Sequence, residues 1–182
     1  MRELNAMNLN ATDIKDILSN VLKQKRCPFL IMASSGLGLS DISNLTLKNI
    51  DFKSDPVAIT IQRQMSGQIF TTFISNEAAT ALKQHINEKG VTTLEEKIFN
   101  FSANRLLTTW RKASEIAGYE KIRLSELRRF FHKTLLINGI NEFITDFLMG
   151  YHQNSADHHI EITREILTYH YKKIEPNLTI FA

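Results

Sequence analysis

Between residues 101 and 133 this 182-residue chain carries eight basic side chains: Arg105, Arg111, Lys112, Lys121, Arg123, Arg128, Arg129 and Lys133. Three acids, Glu115, Glu120 and Glu126, stand against them, so the segment sums to 8 − 3 = +5 and the rest of a +3 chain to −2. Trp110, Phe130 and Phe131 are interleaved with these cations. Rings of that size anchor their helices and hold neighbouring charges in a fixed pattern, and the chemistry on offer is neutralisation of phosphate. The segment is therefore either a solvated helix face or a phosphate-binding one. Other reactive groups lead nowhere comparable. Four of the six histidines (His152, His158, His159, His170) cluster late in the chain, with Asp157 and Glu161 between them, but none forms a helical H-x-x-x-H pair, and adjacent histidines converge poorly on one ion. No metal site and no cofactor are expected. Gly36 and Gly38 are not followed by Lys-Ser/Thr, which excludes a phosphate loop. Ser34 and Ser35 have no identifiable acid partner. The single cysteine, Cys27, sits in an apolar run and reads as a small core residue, and one cysteine excludes an internal disulfide.

The elements that must position these cations follow from periodicity. Ile14, Ile17, Leu18 and Val21 recur at helical spacing over 12–22, with Asn10 or Thr12 as cap. After the polar KQKR and Pro28, residues 29–34 are apolar enough for a buried helix. The glycines at 36 and 38 then force a turn, and Ser40 is the expected cap of a helix reaching about Leu47. Val57, Ile59 and Ile61 alternate, as do Ile69, Thr71 and Phe73, with Gln64-Met65-Ser66-Gly67 between them, which predicts a β-hairpin. Helices are expected over 77–88 and over 103–117, the second with Leu106, Leu107, Trp110, Ala113 and Ala117 inward. Three more are expected: from Ser125 to about Asn138, over 141–149, and over 163–173, followed by a mixed tail, 174–182, with apolar Leu178, Ile180 and Phe181. The fold class is mainly α with a small antiparallel β-sheet, in a single domain whose core runs from about 10 to 174.

Hydrophobic content of 43% with 23% charged residues excludes wholesale disorder, and 7 glycines with 3 prolines exclude collagen-like sequence. No apolar run reaches the roughly 18–20 residues of a membrane span. The N-terminal residues lack the apolar core of a signal peptide, so a cytoplasmic location without membrane contact is expected.

Several phrases in this order resemble the catalytic domain of the tyrosine recombinases, the phage-type integrases, and look most like archaeal versions. Ser35-Gly36-Leu37-Gly38-Leu39-Ser40-Asp41-Ile42, followed by Leu45-Thr46-Leu47-Lys48-Asn49-Ile50-Asp51, is similar to the family's T-G-L-R-I-S-E-L…L-x-x-x-D-I segment. Ala117-Gly118 with Leu124-Ser125-Glu126-Leu127-Arg128-Arg129 resembles its A-G…H-x-L-R-H box, and Ile144 to Gly150 the stretch before its L-G-H box. The resemblance covers roughly residues 10–180 and implies a DNA phosphodiester attacked by a tyrosine. Two arginines, a hairpin lysine and two histidine-type positions would stabilise the phosphorane and move protons.

Most of those positions are substituted here. The first arginine is Gly38. The hairpin lysine falls at or near Met65, with Arg63 the nearest cation. The box histidine is Ser125, and the histidine after Gly150 is Tyr151, with His152 one place along. Only the second arginine survives, as Arg128. Aligned from the tail, the nucleophile falls at His159 or Ile160; counted forward from Gly150, the available tyrosines are Tyr169 and Tyr171. Losses within one cooperative site cost orders of magnitude in rate. The resemblance therefore implies a catalytically inactive, recombinase-fold DNA-binding protein, an accessory or regulator of DNA integration or recombination. Arg105, Arg111, Lys112, Arg123, Arg128 and Arg129 would hold the duplex. The alternatives are an active divergent recombinase using Arg128 with Tyr169 or Tyr171, and a protein-interaction module that has lost DNA. Partners implied besides duplex DNA are an active recombinase or a second copy engaged through the tail, although the tail docks as plausibly in cis. About ten residues precede the match, so the family's N-terminal DNA-clamping domain is expected to be absent.

Overall fold

A computed structural model describes residues 9–63, 67–151 and 162–181. The order is three helices, a three-stranded sheet and five further helices. Helix α1 (Ala11–Ser19) starts at Asn10, whose side chain accepts from the Asp13 amide while the Asp13 carboxylate accepts from the Asn10 amide, both at 3.0 Å. Reciprocal capping of this kind satisfies two amides that the helix itself leaves open. The helix stops at Ser19, three residues short of the apolar pattern. Ser19 and Asn20 side chains bond back to the Lys15 and Asp16 carbonyls, and Val21 is buried by a turn rather than by a helical repeat.

Helix α2 (Cys27–Ser35) is buried along its whole length. That explains why its sequence is a continuous apolar run with no polar face. It forms the central post, packed on α4 (Asn76–Lys89) and α6 (Glu126–Ile137). Gly36 ends it in the left-handed region, at φ +68°. Helix α3 (Leu39–Ser43) is shorter than expected and is capped otherwise: the Gly38 amide donates to the Asp41 carboxylate at 2.9 Å, so Ser40 is not the cap.

The hairpin forms as the alternation requires. β2 (Ala58–Gln62) pairs antiparallel with β3 (Ile69–Phe73), Ile59 opposite Thr72 and Ile61 opposite Phe70. A two-residue strand, β1 (Ile50–Asp51), adds to β2; it is too short to show a period in sequence. In α5 (Ala103–Ile116), Leu106, Trp110 and Ala113 face inward, and the Trp110 indole donates to the Ile122 carbonyl at 3.1 Å. Leu107, expected inward, is instead 42% exposed. At 100° per residue it lies roughly 120° from Ala113 around the helix, outside an apolar stripe little more than 100° wide.

Ser125 precedes α6 but makes no capping bond, because its own backbone is already helical and the helix begins through tighter turns at Arg123 and Leu124. α7 (Glu142–Met149) and α8 (Arg164–Ile174) follow. The tail then makes a 3₁₀ turn and docks in cis. The Ile180 and Phe181 amides donate to the two carboxylate oxygens of Glu77 at 2.8 and 3.0 Å, and the Arg26 guanidinium lies 4.5 Å above the Phe181 ring. Leu178 and Ile180 are buried against their own chain. Among the described residues no helix is long and apolar enough to cross a membrane.

Candidate nucleic-acid interface

The polar site of greatest interest lies where three chain ends meet. α2 terminates at Gly36 and α7 at Met149–Gly150, so both helices present last-turn carbonyls without an intrahelical partner. Arg128, on the first turn of α6, reaches both. Its Nη1 donates to the Gly36 carbonyl, its Nη2 to the Met149 carbonyl at 2.9 Å, and its Nε to the Tyr151 hydroxyl at 3.1 Å. A guanidinium at a helix C-terminus also opposes the negative end of the helix dipole, and here one cation serves two such ends.

Arg63, at the end of β2, donates from Nη2 to the same Met149 carbonyl at 3.0 Å. Two guanidinium groups therefore share one acceptor. The Tyr151 ring stacks against both, 4.7 Å from Arg128 Cζ and 5.8 Å from Arg63 Cζ, and Phe70 lies 5.0 Å from Arg63 on another side. These distances are within cation–π range. The two glycines make the approach possible. A Cβ on Gly36 would sit 2.5 Å from Phe131 Cδ1 and 2.7 Å from Met149 Sδ; one on Gly150 would sit 2.6 Å from the Phe70 ring.

The positions that the resemblance reads as substituted fall in different places. Gly38 follows Gly36 by two residues, and a Cβ there would meet only the Asp41 carboxylate, at 3.4 Å; packing admits a side chain at that place. Ser125 is exposed on the turn leading into α6. Met65, His152 and His159 lie outside the described residues. Arg63, the cation nearest the hairpin turn in the sequence, is the one the structure brings beside Arg128, and it is the only basic residue between Val57 and Phe73.

The two candidate nucleophiles part company. The Tyr171 side chain is fully buried against Phe73 and Phe131, and its hydroxyl donates to the Ser34 carbonyl at 2.7 Å. Desolvation, then the nearby Glu175 charge, hold its phenol well above the usual tyrosine range. A phenol so placed faces the core and not the solvent. Tyr169 is 58% exposed, with Lys173 Nζ 4.4 Å over its ring. Ser34 and Ser35 are buried and bond back to the Leu30 and Ile31 carbonyls. Burial pushes the Cys27 thiol far up, consistent with a core residue.

Around α5 the expected DNA contacts point in more than one direction. On α5, Arg105 and Lys112 lie about 20° apart around the axis, with Arg111 roughly 100° from Lys112. Arg111 is 3.8 Å from Glu115, and Arg129 is 2.9 Å from the buried Glu126 carboxylate. Arg105, Lys112 and Arg123 are exposed and have no ion pair among the described residues. Two cavities lie away from the Arg128 cluster. One of about 770 Å³ runs beside the tail, between Arg26, Glu77 and Lys172; the other, of about 520 Å³, is lined in part by Phe101, His85 and Arg105.

The phage integrase family model matches residues 7–159, most of the chain, and the chain belongs to that family. Its fold is that of the tyrosine recombinases. It is similar to an integrase from mycobacterium phage Brujita, 15% identical, covering all of this chain and 61% of that one with a TM-score of 0.67. It is also similar to the XerA recombinase, 15% identical over 92% of this chain and 65% of that one, TM-score 0.67. A lambda integrase dimer bound to a COC' core site matches at 13% identity over 90% of this chain and 65% of that one, TM-score 0.60. The chain thus spans less than two thirds of the length of these structures. No curated protein matches it.

Proposed function

We propose that this chain is a DNA-binding member of the integrase family that has lost strand-cleavage chemistry and serves DNA integration or recombination as an accessory or regulator. The observation that carries this reading is the state of the family's second arginine. Arg128 is held rigidly by two buried carbonyls, beside a second guanidinium from Arg63, so its charge is fixed in place before any phosphate arrives. Preorganised cations gain most from phosphate, since little ordering cost is left.

The loss of chemistry rests on what accompanies that cation. Gly38 offers no side chain, Ser125 is no proton shuttle near neutral pH, and the Tyr171 phenol is enclosed in the core. Phosphate neutralisation by Arg105, Lys112 and Arg123, supported by Arg111 and Arg129, needs none of these groups.

The test is binding of a fluorescent duplex across a salt series. Each lost phosphate contact should lower the slope of log affinity against log salt by about 0.9, so Lys112→Ala with Arg123→Ala should lower it by about 1.8. A suicide substrate should give no covalent adduct. An adduct abolished by Tyr169→Phe would replace this reading with that of an active divergent recombinase. Binding that ignores salt would favour a protein-interaction module.

A further inference from the structure

The guanidinium of Arg128 carries five N–H donors, and its partners are of two kinds. Gly36 and Met149 offer main-chain carbonyls at buried helix ends, which cannot withdraw without dismantling the packing of α2 and α7. Tyr151 is different. It is half exposed, it lies just past the end of α7, and it is joined to the arginine only through its hydroxyl and ring face. The hydroxyl takes the Nε–H, and every edge of the fork has at least one protein acceptor on it. The same ring screens Arg63, whose other contacts in the cluster are the Met149 carbonyl and a second aromatic, Phe70.

We propose that Arg63 and Arg128 form one composite site for a single DNA phosphodiester, and that Tyr151 is its removable cover. The idea rests on the DNA-binding reading above and adds to it a second cation and a competitor. Arg63 lends the charge that the family draws from the hairpin turn, but delivers it from the end of β2. Tyr151 stands in for the anion while the site is empty: its oxygen occupies the Nε–H and its π face the cationic surface. When a phosphate oxygen arrives, the phenol swings outward, Nε–H passes to the phosphate, and the two carbonyls stay in place as the fixed floor. No bond is made or broken in this exchange apart from hydrogen bonds.

The experiment compares wild type, Tyr151→Phe, Tyr151→Ala and Arg63→Gln, Tyr151 being half exposed and Arg63 partly buried, in duplex binding across a salt series, with thermal melts as a control on folding. A fluorine-labelled Tyr151 is followed by NMR on adding either the duplex or inorganic phosphate. Removing the cover should tighten duplex binding, by about tenfold for Tyr151→Ala and by less for Tyr151→Phe, which keeps the ring. Arg63→Gln should lower the salt slope by about 0.9 in both the wild-type and the Tyr151→Ala backgrounds. The Tyr151 fluorine signal should move with duplex and with inorganic phosphate. If Tyr151→Ala weakens binding or leaves it unchanged, Tyr151 is a DNA contact or a bystander and the proposal falls. An unaltered salt slope in Arg63→Gln removes the composite site. If the duplex does not bind but inorganic phosphate still shifts the Tyr151 signal, the DNA reading fails while the covered anion site stands. If the duplex binds and the signal stays fixed, only the cover is refuted.

Discussion

Replacing Gly36 by alanine tests whether the meeting point of α2, α6 and α7 is as tightly determined as its geometry indicates. Two penalties apply. At φ +68° an L-residue carries roughly 1–2 kcal/mol of left-handed strain. The added Cβ would also lie 2.5 Å from Phe131 Cδ1 and 2.7 Å from Met149 Sδ. Comfortable carbon contacts are about 3.5–4.0 Å, so the intrusion is on the order of 1 Å. Phe131 is fully buried and cannot swing aside, and overpacking of this kind costs about 1–3 kcal/mol. The expected loss is about 2–5 kcal/mol. The control is Gly90→Ala, at φ +66° with nothing within 4 Å of the new Cβ, which should cost the strain alone, about 1–2 kcal/mol. Urea unfolding of both variants, with m unchanged, isolates the packing contribution as their difference. If Gly36→Ala were no worse than Gly90→Ala, the Phe131 and Met149 contacts would be compliant. The claim that the Gly36 carbonyl is a fixed floor for Arg128 would then fail.

Two further outcomes are expected. Glu77→Ala deprives the Ile180 and Phe181 amides of their acceptors, so hydrogen exchange at both should quicken by about ten- to a hundredfold while amides of α2 are unaffected; unchanged exchange would mean that the apolar contacts of Leu178 and Ile180 hold the tail alone. His85 is half-buried 4.9 Å from Phe99, and its pKa lies below 6.5 because burial, and then the Lys89 charge, disfavour the imidazolium against the Ile98 carbonyl and Glu88. The unfolded chain therefore binds the extra proton first, so His85's contribution is full above about pH 6.5 and is lost as pH falls through 6.5 towards the folded value. Stability curves for wild type and His85→Gln should separate over that window; parallel curves would show that the ring is not desolvated.

Much of the fold could be read from residue order. The hairpin was legible because Ile59, Ile61, Thr71 and Phe73 keep a period of two, and α5 because Leu106, Trp110 and Ala113 keep a helical one. What escaped notice depends on distance in the chain. Leu107 follows an apolar neighbour and looks like core, yet the stripe it would join is fixed by α1 and α3 packing on α5, and it falls outside. Arg128 could be picked out by resemblance, but its bond to Gly36 spans 92 residues and the bond of Arg63 to Met149 spans 86. No local pattern announces a carbonyl shared by two arginines. Tyr171 was ambiguous for a similar reason: its aromatic type suits both chemistry and core, and its packing on Phe73, Phe131 and Ser34 is not visible in residue order.

The bonds of Arg128 bear on how its persistence is to be understood. A side chain that ties the ends of two helices together would be kept by selection for folding alone, long after any demand for cleavage had lapsed. Removing it would strand the Gly36 carbonyl at a buried helix end, a defect worth about 1–3 kcal/mol, and would leave the Met149 carbonyl to Arg63 alone. An arginine that the resemblance assigns to a reaction centre can therefore also be one that the scaffold could not discard. Its presence records architecture, whatever the chemistry beside it.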